Sequence, residues 1–175
     1  MAVYGSVAAG AGVANCENAI NLFEFTVSAA GETPATANVW LNESTTTNAH
    51  TWKVVLYRAS DSVFIAETNA RSDIITGGPA EYAFTFSTNP SLSNVAYRAG
   101  VFANSAGGNA NVIKNDGVGS ARYNQVGLTY PTVPDPGSFT SVEGSAQLRM
   151  TVTTNDPGGG SSIAAIARHY RTMKQ

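Results

Sequence analysis

The chain has 175 residues, of which ten are Lys or Arg and twelve are Asp or Glu, so its formal net charge is -2. Charged residues make up only 13% of the sequence, which argues against a basic nucleic-acid-binding surface and against a charge-rich disordered segment. The length suits one ordinary domain that can bury a core without disulfides. Ser, Thr and Asn account for 49 residues beside 17 Gly, a composition typical of folded chains built from strands and turns.

Cysteine usage and the N-terminal sequence bear on the compartment in which the protein is made. The single cysteine, Cys16, cannot form an intrachain disulfide, and we expect it to be a small, inert thiol. A secretory signal peptide begins with a basic segment, whereas the first Lys or Arg of this chain is Lys53. No stretch approaches the roughly 18 apolar residues that a membrane span needs. We therefore expect a protein made in a reducing cytosol, with no export signal and no membrane partner.

Composition divides the chain into four segments. Residues 1–19 form an Ala/Gly-rich N-terminal arm, and residues 20–154 carry nearly all the aromatic side chains and the alternating patterns. Residues 155–161 are predicted to be a flexible linker, and 162–175 form a short basic tail. Small residues permit an extended path close to another surface, so the arm can add a strand to a neighbouring sheet.

The tail is predicted to form a short helix that is capped by Ser161 or Ser162, and the alternative is a frayed terminus. Its basic residues, Arg168, Arg171 and Lys174, fall in the last turns, where cations interact favourably with the helix dipole. Two extensions on one domain predict assembly with identical copies or with a scaffold.

The middle segment shows repeated two-residue alternation of apolar and polar side chains, which is the pattern of half-buried strands. Clusters of Gly, Asn, Ser, Asp and Pro separate the segments, and none has a helical period over ten residues. About nine strands without crossover helices predict an all-β fold, an antiparallel two-sheet sandwich. Long loops such as 42–50 and 130–144 break the rhythm expected of a closed barrel, which favours a jelly roll. The predicted strands are LFEFTVS, ATANVWLN, TWKVVLYR, SVFIAET, EYAFTFS, VAYRAGVF, NVIKN, ARYNQVGLTY and AQLRMTVT.

Residues that could carry catalysis are few and scattered. His50, in a polar loop where we expect it to be solvated, and His169, in the tail, have no second His or Cys at metal-ligand spacing. The acids occur mostly in turns, and Glu24 and Glu81 are the two predicted to lie on strands. The sequence therefore predicts a protein that is not an enzyme, with no cofactor and no metal site.

Trp40 is the most informative single residue of the sequence. Alternation places it opposite Val39 and Leu41, on a strand face that it shares with Asn38 and Asn42. A Trp on a polar face stacks against a sugar ring, fills a subunit interface or is covered by a loop, and the sequence leaves these three roles open. The same roles are open, on a weaker pattern, for the two tyrosines Tyr123 and Tyr130.

A resemblance covers about residues 35–105. The run VWLNESTTTNAHTWKVVLYRASDSVFIAET, followed by EYAFTF and LSNVAYRAGVFANS, resembles jelly-roll modules of the carbohydrate-binding or galactose-binding type. Such modules recur in decoration, head-fibre and tail-fibre proteins of bacteriophage virions.

The resemblance implies a structural virion protein, a capsid decoration or fibre subunit. Its expected partners are identical copies and other virion proteins of the capsid or tail, and its expected location is the virion, assembled in the host cytoplasm. The alternative that it implies is a non-catalytic carbohydrate-binding module or lectin that binds a surface glycan.

Overall fold

The computed structural model describes residues 1–43, 50–73, 78–106, 110–116, 121–144 and 146–157. These residues form an all-β, antiparallel two-sheet sandwich, as the sequence predicts. No helix among them is long and apolar enough to cross a membrane. The strands are β1 (Ala2–Ser6), β2 (Gly12–Asn15), β3 (Ile20–Thr26), β4 (Thr33–Glu43), β5 (Trp52–Arg58), β6 (Phe64–Glu67), β7 (Ala80–Thr85), β8 (Ala96–Ala103), β9 (Ala110–Asp116), β10 (Arg122–Gln125), β11 (Thr140–Glu143), β12 (Ala146–Leu148) and β13 (Met150–Asn155).

The strands divide into a seven-stranded and a six-stranded sheet. The first has the order β1-β13-β4-β9-β12, with β2 paired to β9 and β7 paired to β4. The second has the order β11-β10-β3-β8-β5-β6. All nine predicted strands are present, and the predicted strand AQLRMTVT is divided into β12 and β13 at Arg149. The sequence pattern missed β1, β2 and β11, so the predicted number of strands was too low.

The main core lies between the two sheets and follows from the alternation of apolar residues. Val54 and Leu56 of β5 face Val39 and Leu41 of β4 across this layer, and all four are fully buried. Trp52 lies in the same cluster and is also fully buried. The predicted inward face of both strands is therefore confirmed.

A second apolar cluster covers the outer face of the six-stranded sheet. Val55 and Tyr57, which alternate with the core residues of β5, are fully buried under residues 126–139. The Tyr57 hydroxyl donates a hydrogen bond to the Pro134 carbonyl (2.9 Å), and the Phe139 ring meets the Tyr57 ring edge-on at 4.6 Å. The loop between β10 and β11 therefore forms a cover, because this sheet is apolar on both faces.

The N-terminal segment is not the extended arm that the composition predicts. β1 pairs with β13 and β2 pairs with β9, so residues 1–19 contribute two strands to this chain's own seven-stranded sheet. Gly5 has a φ of +112°, and a Cβ at this position would lie 2.2 Å from the Met150 carbonyl oxygen. Glycine therefore allows β1 to lie close against β13. The predicted tail helix at 162–175 and most of the linker lie outside the described residues.

A buried carboxylate joins β1 to the rest of the sandwich. Glu32, which precedes β4, is only 2% exposed and accepts hydrogen bonds from the Tyr4 and Ser28 hydroxyls (both 2.8 Å), from the Ala29 amide (2.9 Å) and from the Thr154 hydroxyl. Burial by itself raises the pKa of Glu32, but the four donors outweigh it and lower that pKa to about 2. Because Tyr4 belongs to β1 and Thr154 to β13, the charged form of Glu32 stabilises the attachment of the first strand.

The Glu32 network predicts a specific loss of stability in acid. The pKa of Glu32 is lower in the folded chain, about 2, than its ordinary value of 4.5, so its contribution is complete above pH 4.5 and is lost as the pH falls towards 2. We expect Glu32→Gln to lower the free energy of unfolding by about 2 kcal/mol at neutral pH, since hydrogen bonds to a charged group are weakened. Urea unfolding at several pH values should show the two proteins converging in acid.

Glu81→Gln, at an exposed glutamate of β7, is the control for this measurement. It should leave the free energy of unfolding within about 0.5 kcal/mol of the parent at neutral pH. An unchanged pH dependence in Glu32→Gln would contradict the role assigned to the carboxylate.

Candidate functional site

The structure places Trp40, Asn38 and Asn42 together on the outer face of the seven-stranded sheet. Each is partly exposed, whereas the intervening Val39 and Leu41 are fully buried, so the predicted face of β4 is confirmed. The neighbouring side chains on this surface are either small or polar. In the registered pairs, Asn38 lies between Thr151 and Ala83, Trp40 lies beside Glu81, and Asn42 lies beside Asn111.

Trp40 lies at a fork in this sheet and is partly covered by an arginine. β4 pairs with β13 up to Val39 and with β9 from Leu41 onwards, so these two partners diverge at Trp40. Arg149, between β12 and β13, accepts a hydrogen bond from the Trp40 amide (3.1 Å), and its guanidinium lies 4.4 Å from the centroid of the indole ring. Its Nε also donates to the Val7 carbonyl (3.1 Å). The indole is therefore partly shielded by the chain's own residues.

The first thirteen residues form an apolar edge on the same sheet. Among the described residues, β1 pairs only with β13, and β2 pairs only with β9. Four large apolar side chains are well exposed here, two on the strands themselves and two directly beside β1. We call this set the edge patch, and it consists of Met1 (72% exposed), Val3 (62%), Val7 (59%) and Val13 (44%).

The edge patch also has no charged side chain within its sequence. Residues 1–16 contain no Asp, Glu, Lys or Arg, and Glu17 is the first charged residue of the chain. Exposed edge strands usually carry charges, prolines or bulges that prevent pairing with another chain. The Ala/Gly composition of this segment indicated an extended arm and gave no sign of an apolar edge. The signal that could have identified the edge patch was the alternation of Val3 and Val7 with the inward-facing Tyr4.

His50 corrects the expectation of a solvated loop histidine. The residue is fully buried, its Nε2 lies 3.1 Å from Glu17 Oε1, and its ring meets Trp52 edge-on at 6.0 Å. The residue is therefore part of the packed interior, beside the beginning of β3. In the described part of the chain, no three His, Cys, Asp or Glu side chains are grouped so that they could hold a metal ion.

Cys16 is also in the interior, as part of the core between the sheets. It is fully buried, and its Sγ accepts a hydrogen bond from Asn21 Nδ2 at 3.5 Å. Burial raises the pKa of the Cys16 thiol to about 12, so the group is protonated at neutral pH. This environment agrees with the expectation of an inert thiol.

The two weaker aromatic candidates lie on the other sheet. Tyr123 of β10 faces Arg98, whose guanidinium lies 4.0 Å from the ring centroid and whose Nε donates to Glu24 (2.9 Å). Tyr130 belongs to the loop cover and packs against Phe102 of β8 at 5.1 Å, where burial raises the pKa of its hydroxyl. The structure therefore does not bring either tyrosine together with Trp40. The basic tail residues Arg168, Arg171 and Lys174 lie outside the described residues.

No protein-family model matches the sequence, and no curated protein matches it significantly.

Trp40 and Trp52 provide a matched test of an outward and an inward position. Trp40 lies on the outer face of the seven-stranded sheet, and Trp52 lies on the inner face of the six-stranded sheet. We expect Trp52→Ala to lower the free energy of unfolding by about 3–5 kcal/mol, because a fully buried ring is removed. Trp40→Ala should cost less, about 1 kcal/mol, since the ring lies partly exposed on the outer face of its sheet and its main described contact is with Arg149. Urea unfolding followed by circular dichroism measures both values. Equal losses would contradict the outward position of Trp40.

Proposed function

We propose that this protein is a structural subunit of a bacteriophage virion, a capsid decoration or fibre subunit, that acts by assembly and not by catalysis. The observation that carries the proposal is the edge patch, four exposed apolar side chains on a strand edge whose own side chains carry no charge. An edge of this kind pairs readily with a strand of another chain unless it is covered. The proposed cover is an identical copy or another virion protein.

The geometry of the edge supports pairing through the backbone together with apolar side-chain contacts. Val3 lies in β1 opposite Thr153, and Val13 lies in β2 opposite Ile113, so both side chains stand on strands with one open side among the described residues. Backbone hydrogen bonds would supply affinity, and the exposed valines would lose water on contact. This mode requires neither a catalytic residue nor a cofactor.

The virion assignment rests on the resemblance of residues 35–105 to jelly-roll modules of phage decoration and fibre proteins. A low proportion of charged residues and an abundance of Thr, Ser and Asn are consistent with a β domain of this kind. Such a subunit would be made in the host cytoplasm and would remain in the particle, with other capsid or tail proteins as partners.

The assembly proposal predicts that a charge in the edge patch weakens self-association. We expect Val3→Lys to shift the protein towards monomer, because an ammonium group would have to lose water within the paired edge. The dissociation constant should rise at least about tenfold, measured by analytical ultracentrifugation over a range of concentrations. Folding should be unaffected, since 62% of Val3 is exposed.

Val126→Lys is the matched control, because Val126 is 68% exposed and follows β10 in the other sheet. It should leave the dissociation constant unchanged. A parent protein that stays monomeric at all concentrations, or an equal effect of the two variants, would contradict assembly of identical copies through β1.

The virion assignment has a separate test. Mass spectrometry of particles purified from a lysate should detect the chain at many copies per particle, and washing with salt should not remove it. Its absence from particles, together with its presence in the soluble lysate, would contradict the assignment.

A further inference from the structure

A cavity of about 460 Å³ lies away from the edge patch, where the edge of the six-stranded sheet meets the loop cover. Its walls are formed by β5 and β6, by the residues that follow β7, and by the loop at 131–133. Ser87, just after β7, donates to the Glu67 carbonyl of β6 through both its amide (2.9 Å) and its hydroxyl (2.7 Å). These bonds fix the wall that the seven-stranded sheet contributes. The volume falls within the range of about 300–1,000 Å³ that is typical of small-molecule sites.

A partly buried ion pair lies at one side of the cavity. Lys53, at 4% exposure, places its Nζ 2.7 Å from Glu67 Oε2 and 2.6 Å from the Pro131 carbonyl oxygen. The same ammonium lies 5.5 Å from the Tyr130 ring centroid and 5.9 Å from that of Phe102. The lysine thus joins β5, β6 and the loop cover, and the position of its charge is well determined.

The polar groups of the cavity can still bind a ligand. Lys53 uses two of its three ammonium hydrogens in these contacts. Glu67 Oε1 has no hydrogen-bond partner among the described residues, and 38% of the Glu67 side chain is exposed. Ser87 and Thr88 are exposed and add two hydroxyls. The Thr88 hydroxyl can donate and accept, whereas the Ser87 hydroxyl, which donates to the Glu67 carbonyl, can accept from a ligand. The cavity therefore combines a carboxylate oxygen with hydroxyl groups along one part of its wall.

The remaining wall is apolar and supplies contact area. Phe64, Ala66 and Val133 line it, and Phe64 is held edge-on against Tyr57 at 5.9 Å. A ligand that matches both parts must carry several hydroxyls and also a C–H surface. Because Lys53 and Glu67 neutralise each other, a ligand with a net charge would have no counter-charge from this pair.

We propose that the Lys53–Glu67 cavity is a binding site for a neutral sugar, one or two pyranose rings in size. The sugar hydroxyls bond to Glu67, Ser87 and Thr88, and a ring face lies against Phe64. The inference goes beyond the proposed assembly function and does not depend on it. It also places the sugar away from Trp40, where a sequence-based interpretation would look for ring stacking.

The experiment uses the full ¹⁵N-labelled chain and neutral methyl pyranosides of glucose, galactose, mannose and N-acetylglucosamine. In titrations followed by amide chemical shifts, at least one of them should bind with a dissociation constant on the order of a millimolar. The shifts should be concentrated at residues 64–67, 87–88 and 131–133. Glucuronate and inorganic phosphate serve as anionic probes and should bind more weakly.

Thr88→Val removes one hydroxyl from the cavity with little change in volume and should weaken binding about fivefold to tenfold. Thr85→Val, at an exposed threonine of β7 outside the cavity, should not change it. Glu67→Gln should abolish measurable binding, and its thermal unfolding is measured beside it so that a loss of folding is recognised. Thr88→Val decides the proposal if Glu67→Gln does not fold.

Four outcomes would overturn the inference: no saturable binding by any pyranoside, tighter binding of an anion, shifts concentrated around Trp40, or equal binding by Thr88→Val and the parent.

Discussion

The structure depends on the burial of the six-stranded sheet on both of its faces. In β5, Val54 and Leu56 pack into the core between the sheets, while Val55 and Tyr57 lie in the second apolar cluster. An antiparallel sheet normally leaves one face to water, and an apolar outer face must be covered by another part of the chain. The 126–139 loop provides this cover, and its carbonyls are held by hydrogen bonds from β5.

This cover explains why a lysine is tolerated in an apolar strand. Lys53 takes a position that would otherwise be occupied by another hydrophobic residue, and its charge is met by Glu67 and by the Pro131 carbonyl. Loss of either partner would leave an ammonium group buried with too few acceptors, which is costly. The same three groups lie beside the cavity, so the contact that closes the loop over the sheet also positions the proposed sugar site.

The two sheets differ in which of their faces and edges are exposed. The six-stranded sheet is covered by its own loop, whereas the seven-stranded sheet keeps a polar outer face around Asn38 and an apolar, uncharged edge at Val3 and Val13. Arg149 shields Trp40 at the fork and also binds the Val7 carbonyl, so the proposed assembly edge and the Trp40 face are linked by one side chain. The proposed assembly edge and the proposed sugar site therefore lie in different parts of the molecule, and each can be changed by substitutions that do not touch the other.

The sequence by itself determined most of the strands, the two-sheet class and the inward and outward faces of β4 and β5, because alternation of side chains is a local property of extended backbone. Only the tertiary structure decided that residues 1–19 complete a sheet, since Ala and Gly carry little pattern and their pairing with β9 and β13 spans most of the chain. It also decided that His50 is buried beside Glu17, and that Lys53 meets Glu67 and Pro131. These contacts join residues far apart in sequence, and no local pattern encodes which distant groups burial will bring together.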